Sequence, residues 1–301
     1  MQRLLRLFTL LLLPFLALPA QAALKVFATV PEWGALAKEI GGDRVEVFTA
    51  TNGLQDPHRI QAKPSLIARG RSAQLLIATG AELEVGWLPL VQRDSGNPAI
   101  QTGQPGYFEA ARYVTLLEAP AALDRAHGDV HPGGNPHIQL DPRHYLSIGQ
   151  ALAERMAQLD PSQATAYQAG YRDFAARWKS AMARWEAQAA PLKGVSILVQ
   201  HGAFPYLNAW LGLKQVGSLE PKPGVEPSSA YLAEMLARQK ATPARMILRP
   251  AYQYDTPSRW MSEQAHIPAV VLPFTVGGTP EAKDLFGLFD DTVNRLLAAL
   301  K

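Results

Sequence analysis

Three histidines, His127, His131 and His137, fall within a short stretch rich in glycine, proline and asparagine. That composition predicts a loop, and the following Asp141-Pro142 predicts a turn that leads into a helix. Neutral imidazole nitrogens are common protein ligands for Zn²⁺ and similar divalent cations. The stretch therefore indicates metal binding.

Two further histidines stand where α/β proteins place ligands. His58 lies between a predicted strand and a predicted helix, and His201 directly follows the predicted strand Ser196 to Gln200. Open α/β sheets bind ligands at the carboxyl ends of their strands. A single histidine at such a position is more often a loop or core residue, so a ligand role requires that the fold bring several together.

The chain contains no cysteine. Any metal site must therefore use nitrogen and oxygen ligands, which favours zinc, manganese or ferrous iron over copper. An exported chain without cysteine also has no disulfide and no lipid-acceptor thiol, so we expect a protein without a lipid anchor.

Residues 1–22 have the pattern of a cleavable signal peptide. Arg3 and Arg6 precede the apolar run Leu10 to Leu18, and Ala20-Gln21-Ala22 has the small-x-small form that signal peptidase accepts. The apolar run is shorter than the roughly 20 residues that a membrane span needs, which argues against the alternative of a transmembrane anchor.

Composition predicts a globular protein of ordinary charge. The 301 residues are 48% hydrophobic and 18% charged, enough to bury one large core or two medium ones. The formal net charge is +3, and both signal-peptide arginines are lost on cleavage. A nearly neutral mature chain gives no reason to expect a nucleic-acid partner.

The elements that must position the histidines form two α/β series. A strand at Leu24 to Thr29, a helix at Glu32 to Ile40 and a strand at Val45 to Thr49 make a βαβ unit, which predicts parallel, right-handed pairing. Tyr113 to Leu117 is a further strand candidate in this half. A second series begins at Ser196.

One long helix separates the two series. It begins after Asp160-Pro161, runs to about Ala189 and spans about 43 Å at 1.5 Å per residue. Its apolar face recurs at steps of three and four: Ala164, Tyr167, Tyr171, Phe174, Trp178, Met182 and Trp185. The sequence thus predicts an α/β fold with two Rossmann-like lobes: an N-terminal lobe at 23–159, a linking helix at 160–190 and a C-terminal lobe at 191–301.

Several short motifs occur in a fixed order along the chain. They are Asp56-Pro57-His58 with Pro64-Ser65, Thr79 to Glu84 before Trp87, Asn135 to Pro142, His201 to Tyr206, and Val225 to Ser228. In order and spacing the chain resembles the periplasmic substrate-binding proteins of zinc and manganese ABC transporters, the group with a rigid backbone helix. The similarity runs from about Leu24 to Lys301.

The resemblance implies a metal site and a transport role. It places the metal ligands at His58, His137 and His201, in a cleft between the lobes. A histidine at the third position is associated with zinc, whereas manganese members tend to carry a carboxylate there. The implied protein is a periplasmic monomer that is not an enzyme and that delivers its ion to an inner-membrane ABC permease.

The chain departs from the family at the fourth ligand. The family implies an aspartate after the last strand, but Leu272 to Gly278 contains no acid. The expected site is therefore three histidines with water, or with an acid from elsewhere: Glu220, Asp255 or Asp284. His127 and His131 either pass metal to this site or form a solvated loop.

Two alternatives follow from the same residues. One is a protein of the same family that carries Mn²⁺, Fe²⁺ or a metal chelate. The other is an exported zinc hydrolase, because three histidines with an open coordination position can activate water. The sequence has no His-Glu-x-x-His motif, which argues against the hydrolase. A surface adhesin is disfavoured because nothing in the sequence indicates a surface anchor.

Overall fold

A computed structural model describes residues 22–119 and 131–301. The strands β1 to β8 are Leu24–Ala28, Val45–Thr49, Leu75–Ala78, Tyr107–Glu109, Ser196–Val199, Lys214–Ser218, Met246–Pro250 and Ala269–Leu272. They form two four-stranded sheets in the orders β2-β1-β3-β4 and β6-β5-β7-β8, and all pairs are parallel. The two halves share one strand order, which confirms the predicted α/β fold.

Helices connect the strands, as parallel pairing requires. The helices α1 to α9 are Pro31–Gly41, Pro64–Ser72, Leu88–Ser95, His144–Leu159, Ala164–Ala189, Pro205–Leu211, Ser229–Ala241, Thr256–Ala265 and Leu285–Ala298. The sequence reading missed α3, α6 and α8. These helices have only 8, 7 and 10 residues, so each offers too few turns for a helical period to be recognised in the sequence.

The predicted long helix is α5, extended at each end by a 3₁₀ turn. Tyr167, Phe174, Trp178 and Trp185 are fully buried along one face. This face packs against α1 and α4 of the first half and against α9 of the second. The helix therefore lies across both halves of the molecule, and the predicted 23–159, 160–190 and 191–301 division remains our proposal for the domain boundaries.

The fourth strand lies earlier than the sequence predicts. We expected a strand at Tyr113 to Leu117, but β4 pairs with β3 through Tyr107–Glu109, and residues 110–113 form a 3₁₀ turn. Phe108 is buried at 1% exposure, whereas Tyr113 is 36% exposed and stacks on Phe108 from outside. Burial of the Phe108 side chain fixes the strand at this earlier position.

Two predicted features lie outside the described residues: the signal peptide up to residue 21, and His127. Within the described ranges, no helix combines the length and the apolar character needed to cross a membrane.

Candidate metal centre

Three histidines from separate parts of the chain converge between the two sheets. His58 comes from the loop between β2 and α2, His137 from the turn before α4, and His201 from the end of β5. One ring nitrogen from each lies within 4.8 Å of the others. The structure therefore brings together all three histidines that the resemblance names.

The spacing of two of these nitrogens suits a tetrahedral zinc ion. The Nε2 atoms of His58 and His137 are 3.3 Å apart. Two nitrogens bound to zinc at 2.0–2.1 Å with a tetrahedral angle are about 3.3–3.4 Å apart. The cluster can therefore hold zinc with little movement of these two rings.

Hydrogen bonds on the far side of two rings fix their tautomers. The His201 Nδ1 lies 2.7 Å from Glu220 Oε2, and the His137 Nδ1 lies 2.8 Å from Asn135 Oδ1. A carboxylate or carbonyl oxygen only accepts, so each Nδ1 carries the hydrogen. Each Nε2 is left with a lone pair available to a cation, as in well-formed metal sites.

The supporting groups are themselves held. Glu220 Oε2 also accepts a hydrogen bond from the Gly224 amide, and Oε1 accepts one from Gln253 Nε2. Asn135 Nδ2 donates to the Gly202 carbonyl oxygen at 2.7 Å, and its Oδ1 accepts from the His137 amide. The imidazoles of His137 and His201 are therefore oriented by groups with little freedom of their own.

Burial keeps two of the imidazoles neutral. Desolvation, followed by the charge of His131, lowers the pKa of His58 to about 3. Desolvation and then the charge of His58 hold the pKa of His137 well below its usual range. Neutral imidazole is the form that binds a metal ion.

Three acids were candidates for a fourth ligand, and the structure brings only one of them to the cluster. Glu220 contacts the site, but its carboxylate binds His201 Nδ1. Asp284 caps α9 by accepting from the Gly287 amide, and half-exposed Asp255 pairs with Arg259. Asp255 and Asp284 are thus engaged elsewhere, and Glu220 supports a histidine.

Phe274 occupies the loop in which the resemblance implied an aspartate. Its ring lies edge-on to His137 with centroids 5.4 Å apart. Its φ of 66° is unfavourable for a bulky side chain. An apolar ring therefore closes this side of the cluster and adds to the desolvation of His137.

His131 lies close to the cluster. Its ring centroid is 5.2 Å from that of His58, and it lines a cavity of about 140 Å³ together with all three clustered histidines. It is therefore not only part of a solvated loop. Its role in metal transfer stays a prediction.

The supporting residues were the part of the site that sequence reasoning missed. The sequence indicates Asn135 only as part of an Asn-Pro-His motif and Glu220 only as a candidate metal ligand. A local signal for Asn135 existed, because an asparagine side chain in a turn commonly accepts a hydrogen bond from the backbone amide two residues further along the chain. No local pattern pairs Glu220 with His201, since nineteen residues separate them.

The fold has two lobes with parallel sheets, one helix that packs across both and a histidine cluster between them. This combination defines the class of metal-binding substrate-binding proteins. The family described as zinc-uptake complex component A, periplasmic, matches residues 26–299. The chain belongs to this family of ABC-transporter substrate-binding proteins.

Relatives within the family differ in the metal they are named for. The chain is 23% identical to the high-affinity zinc uptake system protein ZnuA of Bacillus subtilis, over 70% of this chain and 65% of that protein. It is 21% identical to the manganese ABC transporter substrate-binding lipoprotein PsaA of Streptococcus anginosus, over 87% of this chain and 83% of that protein. It is 22% identical to the iron ABC transporter substrate-binding lipoprotein MtsA of Streptococcus pyogenes, over 73% and 65%.

Solved structures agree on the fold. A crystal structure of ZnuA superposes with a TM-score of 0.75 at 20% identity and covers 93% of this chain and 100% of that one. The Mn²⁺ complex of FpvC from Pseudomonas aeruginosa gives a TM-score of 0.74 at 21% identity and covers 92% of this chain and 98% of that one.

Two of the relatives above are named lipoproteins, so the comparisons do not support the expectation of a protein without a lipid anchor.

Proposed function

We propose that the protein captures Zn²⁺ with His58, His137 and His201 and delivers it to an ABC permease. The observation that carries the proposal is the convergence of three imidazoles, two of them oriented through Nδ1 by Asn135 and Glu220. A site built from neutral nitrogen ligands suits zinc better than manganese, which favours oxygen ligands. Mn²⁺ or Fe²⁺ in the same site is the alternative.

The proposed setting is extracytoplasmic. We propose a monomer in the periplasm, exported by residues 1–22, that meets its permease at the inner membrane. The family description as a periplasmic component supports this setting. We further propose a binding role without catalysis, since the acid beside the cluster, Glu220, already accepts from His201, Gly224 and Gln253.

Glu220→Gln should weaken zinc binding. The substitution removes the negative charge that accepts from His201 Nδ1, so the ring becomes less basic and less firmly oriented. Loss of such an outer partner typically reduces metal affinity by about 10–100-fold. A competition titration against a fluorescent zinc chelator measures the change.

Glu226→Gln is the matched control for that substitution. Glu226 is an exposed acid in the wall of the neighbouring cavity, and no hydrogen bond joins it to the histidines among the described residues. We expect a change of less than about twofold for this variant, as for most surface substitutions. Equal affinities of the two variants would contradict a supporting role for Glu220.

Zinc affinity should depend on pH less steeply than three ordinary imidazoles would predict. With pKa values near 6.5, protons would lower affinity by roughly 1,000-fold between pH 7.5 and 5.5. The lowered pKa values of His58 and His137 remove proton competition at those two ligands in this range, because both stay neutral at pH 5.5. Competition titrations at the two pH values test this, and a full 1,000-fold loss would disprove it.

A further inference from the structure

His131 lies as near to one member of the metal cluster as the members lie to each other. Its ring centroid is 5.2 Å from that of His58. Within the cluster, the centroid distances are 5.4 Å for His58 and His137, 5.5 Å for His137 and His201, and 6.3 Å for His58 and His201. The distance from His131 to His58 is therefore one that two ligands of the same ion can have.

All four histidines line the same cavity of about 140 Å³. Pockets for organic ligands typically measure roughly 300–1,000 Å³, so this cavity is small for such a molecule. It has room for an ion with ligands at about 2 Å and for a side chain that moves toward that ion. Among the described residues of its wall, Glu118 is the one acid.

The backbone at His131 forms a turn that holds the residue at the cavity. The His131 carbonyl oxygen accepts from the Gly134 amide at 3.1 Å, and the Asn135 amide donates to the Leu117 carbonyl oxygen at 2.7 Å. Gly134 has a φ of 119°, which glycine adopts without strain. Both hydrogen bonds use backbone atoms alone, so the turn does not depend on where the His131 imidazole points.

The three clustered histidines leave one position open on a tetrahedral ion. The acids that the sequence offered for this position form other hydrogen bonds or ion pairs. In the cavity wall, His131 and Glu118 are the further described residues with side chains that commonly bind zinc. The Glu118 Oε2 accepts from Asn135 Nδ2 at 3.1 Å, and Asn135 orients His137. His131 is therefore the better candidate of the two.

We propose that His131 is the fourth ligand of the bound ion, so that four imidazoles hold the zinc. This inference rests on the proposed zinc site. His131 lies outside the group of three histidines whose nitrogens are all within 4.8 Å of one another, so its ring moves inward when the ion binds. The residue is partly exposed, and side chains with access to solvent change rotamer rapidly.

A fourth imidazole also bears on the choice of metal. Zinc sites with four protein ligands are closed, with no position left for water. Mn²⁺ prefers oxygen ligands and gains less from another nitrogen. His131 should therefore contribute more to zinc affinity than to manganese affinity.

His131→Ala tests the assignment. In protein labelled with ¹⁵N-histidine, NMR should show four rings with a zinc-bound nitrogen in the wild type and three in the variant. Zinc affinity from competition titration should fall at least about tenfold, because even the loss of a residue that only supports a ligand typically costs 10–100-fold. Manganese affinity should change by less than about threefold. Circular dichroism verifies folding, and native mass spectrometry verifies one zinc ion per chain.

Glu118→Gln is the matched control in the same cavity. The substitution removes the carboxylate charge and keeps an oxygen that accepts from Asn135. We expect zinc affinity to change by less than about twofold, as for most exposed positions. A loss as large as that of His131→Ala would identify the acid as the fourth ligand and overturn the inference.

The remaining outcomes separate the two proposals. A wild type that binds no zinc overturns the proposed function and this inference with it. A wild type that binds zinc through three histidine rings overturns this inference alone, even if His131→Ala lowers the affinity, because His131 would then act without contacting the ion. A second zinc ion bound to the wild type and lost in His131→Ala also overturns it, since His131 would then belong to another site.

Discussion

Replacing any one of His58, His137 and His201 by alanine should reduce zinc affinity by at least about 100-fold. Loss of a residue that only hydrogen-bonds to a metal ligand typically lowers metal affinity by about 10–100-fold, and loss of a direct ligand should lower it further. The expected loss corresponds to at least about 2.7 kcal/mol of binding free energy. Competition titration against a fluorescent zinc chelator measures it, and circular dichroism verifies that each variant is folded.

The matched control is His266→Asn. His266 is exposed at the end of α8 with a φ of 54°, a backbone conformation that asparagine tolerates. This variant should bind zinc like the wild type. Wild-type affinity in all three alanine variants would disprove the site, and a loss in only one would mean that the ion uses that residue with different partners.

The sequence predicted this site because each histidine follows a recognisable element boundary. His201 directly follows a strand of apolar residues, and His137 stands in a turn before a helix. Their convergence came from the resemblance, since the histidines lie up to 143 positions apart in the chain. No local pattern encodes a distance between residues that far apart.

Other features of the site depend on tertiary packing and could not be predicted. Glu220 appeared as a candidate ligand because a carboxylate can bind a metal directly, and only the fold aims it at His201 Nδ1. Asp255 and Asp284 were plausible for the same reason, yet both lie at helix starts. An acid at a helix start is often held there by the exposed amides and the helix dipole.

The fold was predicted best where periodicity is strong. The strand at Val45–Thr49 has the predicted bounds, and α5 carries its apolar residues at helical spacing over 26 residues. Short helices such as α6 bury nearly all their residues and show no amphipathic pattern. Their helical state depends on tertiary packing that the sequence does not display.

The second large effect is on stability: Trp178→Ala, a substitution outside the metal cluster, should strongly lower the free energy of unfolding. Trp178 is fully buried near the middle of α5, and its Nε1 donates to the Pro142 carbonyl oxygen at 2.7 Å. Its ring lies 5.1 Å from Tyr145 of α4 and 5.0 Å from Phe286 of α9, between centroids. One side chain thus contacts helices from both halves of the protein.

Truncating a buried tryptophan costs about 3–5 kcal/mol, and the unpaired carbonyl adds about 1 kcal/mol. For a protein with a typical unfolding free energy of about 5–15 kcal/mol, this is a large share of the total. Urea unfolding, followed by circular dichroism, should show a transition midpoint at a lower urea concentration than in the wild type. Because α5 packs on both lobes, we expect one cooperative transition in the wild type and in the variant.

Two comparison variants separate the sources of the effect. Trp178→Phe retains most of the aromatic contact and loses the hydrogen bond, so it should cost about 1–3 kcal/mol. Lys179→Ala changes the next residue, which is exposed on the same helix, and should alter stability by less than about 0.5 kcal/mol. If Trp178→Ala instead separates unfolding into two transitions, the lobes fold independently, and α5 is a connector that does not couple them.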